Sequence, residues 1–546
     1  MVVSTDEYAS NVGVDVLRAG GNAVDAAIAV SFALAVVNPE AGNIGGGGFM
    51  VLRMADGTAA ALDYREKAPL AASRDMFLDA AGNVTEDAVV GHRAAGVPGT
   101  VMGMWEAHQR FGTLPWTDLV EPAIELARGF EVGERFLNSL DASMVDALSA
   151  FDASAAQFLP RDGQPPMVGD TLRQPDLAAT LERIRDQGAP GFYSGRTADL
   201  IVAEMGRGGG IMTRQDLAAY TAAWREAITF DYRGHTIYSM PPSSSGGVTM
   251  AEAANILEFY DLGSMAFDSA ERVHLLVEAW RRAYADRNHY LADPDFVEMP
   301  LDVLASDEYA AFRAADIDES VASRSEAVGP AVEAFQAAVA PVPTGAPDEG
   351  EHTTHYSIVD GMGNAVAVTT TINSWYGSKV TVGGAGFVLN NEMDDFAAKP
   401  GTPNQFGLVQ GENNAIAPGK RMLSAMSPAI VLDPAGRLRM VTGTPGGSTI
   451  ITTVLQTILN VVDGGMNVSE AVLAPRVHHQ HLPDEIFVEP GGLSADVVAA
   501  LEAMGHTVVE RGGLSGDVQA IVVRPDRTLE AFSDPRRGGA AVGYSN

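Results

Sequence analysis

The sequence predicts an α+β layered sandwich, with helices and sheets concentrated in different parts of the chain. Residues 98–300 show helical patterns separated by short loops, whereas strand patterns dominate from residue 353 onwards. Residues 321–352, which are rich in Pro, Gly and Ala, form the strongest linker signal in the chain and end at this boundary. Runs of helices followed by runs of strands are typical of α+β folds.

The composition indicates a large globular protein and excludes several functional classes. The 546 residues are 46% hydrophobic and 19% charged, which suits a folded chain with a large core. A net charge of -34 disfavours contact with the phosphates of nucleic acids. The absence of cysteine excludes thiol catalysis, cysteine-based zinc sites and disulfides.

Two helices are predicted near the N-terminus. Residues 7–18 form a helical pattern that ends at Gly20-Gly21, and residues 22–37 form a strongly apolar one. The second pattern contains Asp25 and is shorter than the roughly 18–20 residues of a membrane span, so we expect a buried helix. The first residues, MVVSTDEYAS, show neither the basic start nor the apolar segment of a signal peptide.

A glycine run, Gly45 to Gly48, precedes a predicted hairpin formed by FMVLRM and TAAALDYRE. Glycine runs also occur in phosphate-binding loops, but here no Gly-Lys-Ser/Thr follows and the next element is a strand. We therefore expect the glycines to allow tight backbone packing against the hairpin.

The last third of the chain is predicted to be mainly strands. One helix pair, STIITTVLQTILNVVDGG and NVSEAVLAP, interrupts them. The predicted strands are THYSIVD, NAVAVTTTI, AGFVLNNE, SPAIVLD, LRMVTGTPGG, DVQAIVVRPD and TLEAFSD.

The first two of these strands are predicted to form a hairpin around the turn DGMGN. If Val359 pairs with Ala365, the loop has five residues, an acceptable hairpin length. Thr353 then lies opposite Thr371, and directly opposite residues have Cβ atoms roughly 4.5–5.5 Å apart. The two threonine hydroxyls would therefore meet at the open end of the hairpin, with Asn373 just beyond.

Thr353 has two interpretations. A threonine hydroxyl becomes a nucleophile when a base lies beside it, and the first residue of a chain can use its own α-amino group, whose pKa is about 7.7–8.0. That state requires cleavage of the bond between His352 and Thr353, where the linker ends. Alternatively, Thr353 is an ordinary β-branched strand residue, which the local stretch alone favours.

Ordered motifs along nearly the whole chain, from about residue 2 to 545, favour the first interpretation. They are NAVDAAIAV, GGGGFM, DYREKAP, GVPGT, THYSIVDGMGNAVAVTTTIN, NNEMDDF, GKRMLSAMSP, TGTPGGS, PRVHHQHLPDE and DPRRGG. Together they resemble the γ-glutamyltransferase (glutathione hydrolase) family of N-terminal-nucleophile hydrolases. The resemblance implies a four-layer αββα sandwich that needs no cofactor or metal. It also implies self-cleavage into a large subunit, 1–352, and a small subunit, 353–546, which stay associated as one intertwined unit.

The same resemblance implies the reaction and its catalytic residues. The enzyme would cleave the γ-glutamyl amide bond of glutathione and related compounds through an ester on Thr353. It would pass the group to water, amino acids or peptides. Thr371 matches the threonine that hydrogen-bonds the nucleophile, and Gly446 and Gly447 match the oxyanion hole, where backbone N–H groups face developing negative charge. Members of the family are usually periplasmic or secreted.

Four further residues match the pocket for the γ-glutamyl group, which carries an α-carboxylate and an α-ammonium. Arg65 matches the residue that clamps the carboxylate, a task that suits a guanidinium. Glu392 and Asp395 match the acceptors for the ammonium. Asn373 matches a further polar contact.

The chain departs from the family pattern at two places. The family usually has adjacent serines near the glutamyl carboxylate, whereas this chain has Ser424-Ala425, which lacks one hydroxyl. Residues 399–420 match a lid loop over the pocket, but Phe406 stands where many members have tyrosine. A hydroxyl latch from the lid to Asn373 would then be absent.

Two alternatives stay open. A cephalosporin acylase that cleaves a glutaryl side chain resembles the same family, but glutaryl lacks the α-ammonium and would not need Glu392 and Asp395. An uncleaved homologue that only binds ligands would not need Thr353, Thr371 or the Gly-Gly pair. The histidines of HHQHLPDE, 478–485, could suggest a metal site, but we expect them to pack in a loop.

Overall fold

Two antiparallel sheets, stacked face to face between two helical layers, form the centre of the protein. The computed structural model describes residues 1–337, 353–512 and 516–544. One hydrophobic core lies between the first sheet and the helices outside it, and a second joins the inner faces of both sheets to the other helical layer. This arrangement confirms the predicted αββα sandwich.

The strands of the two main sheets come from distant parts of the chain. The first sheet has the order Ala540–Val542, Val2–Ser4, Thr353–Val359, Ala365–Thr371, Gly47–Arg53, Ala59–Asp63 and Ala223–Arg225. The second has the order Leu529–Ser533, Gln519–Val523, Leu438–Thr442, Ala429–Leu432, His235–Ser239 and Ile228–Tyr232. Smaller sheets are formed by Val477–His478, Ile486–Val488 and Val508–Glu510, and by Phe130–Glu131 with Thr171–Leu172.

The helices divide into two groups along the chain. The group beside the first sheet comprises Glu7–Arg18, Ala23–Val37, Thr100–Phe111, Trp116–Arg128, Glu134–Asn138, Ala142–Ser149, Asp152–Phe158, Pro175–Gln187, Pro190–Tyr193, Gly195–Gly208 and Arg214–Ala219. The group beside the second sheet comprises Gly246–Leu257, Ala270–Tyr290, Leu301–Leu304, Asp307–Ala314, Val332–Ala337, Ile450–Val462, Val468–Leu473 and Ala495–Met504.

Strand alternation explains how one sheet serves two cores. In the strand Gly47–Arg53, the side chains of Phe49 and Val51 enter the core between the sheets, whereas Met50 and Leu52 face the outer helices. Successive strand residues point to opposite faces, so a strand buried on both faces reads as a continuous apolar run.

The two helices predicted near the N-terminus are confirmed, as Glu7–Arg18 and Ala23–Val37. The apolar helix Ala23–Val37 is buried along its whole length. Within the described part of the chain, no helix is both long and apolar enough to cross a membrane. A Cβ atom at Gly45 would lie 1.9 Å from the carbonyl oxygen of Val388, and one at Gly46 would lie 2.0 Å from that of Thr371. The glycine run is therefore required by close backbone approach, but Gly45 and Gly46 approach the loop at Val388 and the end of the central hairpin rather than the predicted FMVLRM/TAAALDYRE hairpin.

The predicted register of the central hairpin is also confirmed. Val359 pairs with Ala365, and Thr353 pairs with Thr371. The hairpin lies in the middle of the first sheet, because Val2–Ser4 pairs with one of its edges and Gly47–Arg53 with the other.

Two parts of the strand prediction were wrong. AGFVLNNE, residues 385–392, is an irregular loop with one isolated bridge at Val388, because its backbone bonds to other loops: the N–H of Asn390 donates to Gly45 O. The helical stretch 98–300 contains a hairpin, Ile228–Ser239, that supplies two strands of the second sheet.

Candidate active site

The open end of the central hairpin places two threonine hydroxyls side by side. The Oγ1 atoms of Thr353 and Thr371 lie 3.4 Å apart, and both residues are buried between the sheets. The backbone N–H of Asn373 donates to Thr371 Oγ1 over 2.8 Å. His352, the predicted residue before the cleavage point, lies outside the described residues.

A pocket with about 340 Å³ of empty space adjoins the threonine pair. It brings together most of the residues selected from the sequence, from both predicted subunits. Gly446 is not part of its lining, although its neighbour Gly447 is. The lining residues are Arg65, Arg287, Thr353, Thr371, Asn373, Glu392, Asp395, Phe406, Leu408, Leu423, Ser424, Ala425, Met426, Gly447 and Ile450.

One end of the pocket is a buried charge cluster around Arg65. Its Nη1 donates to a carboxylate oxygen of Glu392 and its Nη2 to one of Asp395. Its Nε donates to the carbonyl of Met422 over 3.3 Å. A third carboxylate, that of Glu66, lies 3.7 Å from Nη1. The guanidinium has five N–H groups, and two of them have no acceptor among the described residues.

The cluster holds more acid than one cation can balance. Burial raises the pKa of Glu392 and of Asp395 above ordinary carboxyl values, even though Arg65 lowers it. Burial also raises the pKa of Glu66 to about 8. For Arg65, burial alone would lower the pKa of the guanidinium, but the three carboxyls raise it overall. A ligand cation placed here would stabilise the ionised carboxylates.

The NNEMDD segment is fixed by its two asparagines. Asn390 Nδ2 donates to the carbonyls of Gly45 and Gly96, at 2.8 and 2.9 Å. The carbonyl of Asn391 accepts from Asn373 Nδ2 over 3.1 Å. Asn373 itself has a φ of 71°, a conformation that asparagine tolerates better than most residues. The acidic residues are thus tied to the glycine run and to the end of the central hairpin.

Glycines 446 and 447 form a turn that few other residues could adopt. Their φ angles are 140° and 54°. A Cβ atom at Gly447 would also lie 2.8 Å from a ring carbon of Phe406. The helix Ile450–Val462 follows almost directly, so the turn lies at the positive end of a helix dipole. This arrangement suits backbone N–H groups that stabilise a negative oxygen.

The predicted lid loop lies over the pocket. Phe406 and Leu408 line the pocket from the tip of the loop, and Phe406 is buried. The tip is tied down by Gln405, whose Oε1 accepts from Ser374 Oγ over 2.8 Å. The tip thus has an attachment of its own although Phe406 has no hydroxyl.

Arg287 was missed by the sequence reasoning. It lies on the helix Ala270–Tyr290, is buried and lines the pocket. Its Nε donates to Ser245 Oγ over 3.0 Å, and Ser245 Oγ donates to the carbonyl of Ser424 over 2.6 Å. The helical pattern explained this arginine as an ordinary helix residue, and no local motif marks it.

The histidines of residues 478–485 contact protein groups. His478 Nδ1 lies 2.8 Å from Thr452 Oγ1, and His479 Nε2 lies 3.3 Å from Asp484 Oδ1. His481 Nε2 lies 2.8 Å from the carbonyl of Val328. These contacts agree with the expected packing role of the loop.

Comparisons with known proteins agree with the fold and show the family. The family model described as gamma-glutamyltranspeptidase matches residues 9–544. A glutathione hydrolase proenzyme of Escherichia coli (strain K12) is 48% identical over 538 residues, covering 98% of this chain and 90% of its own. An acylase ACY 1 proenzyme of Pseudomonas sp. (strain V22) is 38% identical over 553 residues, covering 100% and 93%.

A solved structure has a similar fold over the whole chain. The crystal structure of a cephalosporin acylase from Bacillus halodurans superposes with a TM-score of 0.85 at 27% identity, covering 100% of this chain and 96% of its own. The family model matches nearly the whole chain, and the chain belongs to the gamma-glutamyltranspeptidase family.

Proposed function

We propose that the chain matures by cleaving itself between His352 and Thr353 and then acts as a γ-glutamyltransferase with glutathione hydrolase activity. The observation that carries this proposal is the threonine pair, 3.4 Å apart, beside a pocket that contains a buried arginine and two carboxylates. Residues 1–352 would form the large subunit and 353–546 the small subunit. The two would stay together, since the central hairpin pairs with strands on both sides that come from the large subunit.

Maturation begins at the Thr353 hydroxyl. Its oxygen attacks the carbonyl carbon of residue 352, the peptide C–N bond breaks, and an ester with a new α-amino group forms. Water then hydrolyses the ester and releases the hydroxyl. The new α-amino group has a pKa of about 7.7–8.0 in reference peptides and is a suitable base near neutral pH.

Turnover repeats the same chemistry on a donor. Thr353 Oγ1 attacks the γ-carbonyl of the donor, while the α-amino group takes the hydroxyl proton. The N–H groups of Gly446 and Gly447 stabilise the oxyanion. The proton passes to the leaving amine, a γ-glutamyl ester on Thr353 remains, and water or an acceptor amine removes the acyl group.

The charged end of the pocket selects the donor. An α-amino acid head group has one negative and one positive charge. Arg65 would bind its carboxylate through the two guanidinium N–H groups that have no assigned acceptor, and Glu392 and Asp395 would bind its ammonium. The donor and acceptor are small molecules, such as glutathione with a peptide, an amino acid or water.

The proposal is tested by mass spectrometry and a turnover assay. Purified wild type should give two fragments, 1–352 and 353–546, and Thr353→Ala should give one intact chain. γ-Glutamyl-p-nitroanilide should be hydrolysed, and faster in the presence of glycylglycine if transfer contributes. If Thr353→Ala still splits at this bond in a protease-free preparation, the self-cleavage mechanism is wrong.

A glutaryl acylase is the second candidate, because an acylase proenzyme and a cephalosporin acylase structure are among the similar proteins. Ser424-Ala425 also lacks one of the hydroxyls expected beside a glutamyl carboxylate. Against this candidate, a glutaryl group has no ammonium for Glu392 and Asp395 to bind. Comparing γ-glutamyl- and glutaryl-p-nitroanilide on wild type distinguishes the two.

A further inference from the structure

Arg287 differs from the other deeply buried arginines. Five arginines have less than 2% of their surface exposed: Arg65, Arg281, Arg282, Arg287 and Arg421. Four of them pair with a carboxylate, whereas Arg287 has no carboxylate within ion-pair distance among residues 1–337, 353–512 and 516–544. Its charge is therefore without a direct counter-ion in the described part of the protein.

The hydrogen bonds of Arg287 are also incomplete. Nε donates to Ser245 Oγ over 3.0 Å and Nη1 to Asn288 Oδ1 over 2.8 Å. Nη2 is buried and has no hydrogen-bond partner in the described structure. Burial lowers the pKa of the guanidinium to about 10, which keeps it charged at neutral pH. The charge of Asp395 acts on the guanidinium from beyond ion-pair distance. Because a buried cation without a direct partner is unfavourable, we expect an anionic group of a ligand to bind beside it.

We propose that Arg287 is a second carboxylate-binding residue of the donor pocket, with Nη2 holding the α-carboxylate of the γ-glutamyl group together with Arg65. This inference rests on the proposed function. Both Nη atoms of Arg65 already donate to Glu392 and Asp395, so Arg65 has reduced capacity for a further anion. Nη2 of Arg287 is a donor without an acceptor among the described residues.

The charge balance of the pocket supports this division. Two guanidiniums, Arg65 and Arg287, face the carboxyls of Glu392 and Asp395, with the carboxyl of Glu66 behind Arg65. A zwitterionic head group adds one charge of each sign. The carboxylates then bind the ammonium, and the guanidinium of Arg287 shares the donor carboxylate with that of Arg65. The net charge of the pocket stays unchanged when a zwitterionic donor binds, whereas a purely anionic donor would change it.

The position of Arg287 also bears on Ala425. Through Ser245, the guanidinium is linked to the carbonyl of Ser424, and Ser424 and Ala425 line the same pocket. Ala425 offers no hydroxyl at this wall. Nη2 of Arg287 supplies a charged donor to the pocket in which that hydroxyl is missing.

The test uses two donors that differ only in the α-carboxylate: γ-glutamyl-p-nitroanilide and 4-aminobutanoyl-p-nitroanilide. In Arg287→Met, which keeps the apolar stem, kcat/KM for the first should fall about 100-fold, mainly through KM, as expected for a lost charge-assisted contact. The same constant for the second should change less than about 3-fold. Arg287→Lys keeps the charge. It should lower the ratio of kcat/KM for the first donor to kcat/KM for the second by a smaller factor than Arg287→Met does.

A merely structural role predicts a different pattern. If Arg287 only positions Ser424 through Ser245, both donors lose rate equally in Arg287→Met, and Ser245→Ala reproduces the loss. Either result overturns the inference. Calorimetry of L-glutamate and 4-aminobutanoate binding provides a readout without turnover. Of the two ligands, only L-glutamate should bind more weakly to Arg287→Met than to wild type. Unchanged binding of L-glutamate would overturn the inference.

The two proposals fail separately. A wild-type protein that does not turn over γ-glutamyl-p-nitroanilide refutes the proposed function, whatever Arg287 does. A wild type that turns over this donor, with an Arg287→Met variant that keeps its donor ratio, refutes only the assignment of Arg287. Gel analysis of both variants for the two subunits controls for maturation.

Discussion

Two buried charge clusters include residues of the DYREK segment, one around Asp63 and one around Arg65, and they are balanced differently. In the first, Asp63 accepts from Arg225 Nε over 2.9 Å and lies 3.3 Å from Arg421 Nε. Ser243 Oγ and the N–H of Arg65 also donate to it, at 3.1 and 3.0 Å. Two guanidiniums, those of Arg225 and Arg421, face Asp63, and both also contact the carboxylate of Asp295, at 3.3 and 3.0 Å. In the second cluster, Arg65 is the ion-pair partner of three carboxyls, those of Glu66, Glu392 and Asp395.

The pKa directions of the carboxyls follow from this difference. Burial alone would raise the pKa of Asp63, but Arg421 and Arg225 lower it overall. In the second cluster the pKa of Glu392 and of Asp395 stays raised by burial despite Arg65. A satisfied cluster stabilises the fold, whereas a cluster with an excess of one charge is typical of a binding site.

The largest effect on stability is expected in the first cluster. Asp63→Asn removes the buried charge that the guanidiniums of Arg421 and Arg225 share, and breaking a buried pair costs on the order of 3–5 kcal/mol of unfolding free energy. Asp146→Asn, a change at an exposed helix position, should stay within about 0.5 kcal/mol of wild type. Denaturant unfolding of both variants checks this. Equal stabilities would show that the Asp63 cluster is not structural.

In the second cluster, the loss should appear in binding. Arg65→Ala should raise KM for γ-glutamyl donors, since a lost charge-assisted hydrogen bond to a buried carboxylate costs on the order of 2–5 kcal/mol. Maturation should stay intact, as judged by two bands on a denaturing gel. Unchanged kinetics would remove Arg65 from the site.

A smaller, pH-dependent effect is expected at Glu66. Both of its side-chain oxygens are buried without a hydrogen-bond partner in the described structure, and its pKa is raised from 4.5 to about 8. Between pH 4.5 and about pH 8, the carboxyl of Glu66 is ionised in the unfolded chain but protonated in the folded chain. The free energy of unfolding therefore falls as pH rises through this range, by at most about 1.4 kcal/mol per pH unit.

The glutamine side chain in Glu66→Gln cannot ionise, so the stability of this variant should fall less steeply as pH rises. Melting temperatures of wild type and variant, measured in steps from pH 5 to pH 9, should diverge with rising pH, with the variant becoming relatively more stable. Parallel curves would contradict the raised pKa of Glu66.

The central hairpin could be predicted from the sequence because its two strands are adjacent and five loop residues fix their register. The strand Val2–Ser4 could not, because three residues carry little pattern and its partners lie more than 350 residues away. AGFVLNNE looked like a strand, but the side chains and backbone of Asn390 and Asn391 bind neighbouring loops instead.

The residues of the pocket also differ in how well the sequence predicts them. Its predicted residues came from motifs that resemble a known family, and the fold brings those in the described part of the chain together in the pocket lining, except Gly446; their roles stay predictions. Arg287 has no such motif. Its importance depends on burial and on the absence of a carboxylate partner in the described structure, which only three-dimensional contacts can reveal.

The most direct measurement of the central claim, that the second cluster recognises a zwitterion, is the donor preference of Asp395→Asn. The change keeps the shape of the side chain and removes the charge that faces the ammonium. γ-Glutamyl-p-nitroanilide should lose much of its rate, whereas glutaryl-p-nitroanilide, which has no ammonium, should be affected little or improve. If wild type already prefers the glutaryl compound, or if the variant slows both donors equally, the cluster does not recognise an ammonium and the acylase assignment replaces the γ-glutamyl one.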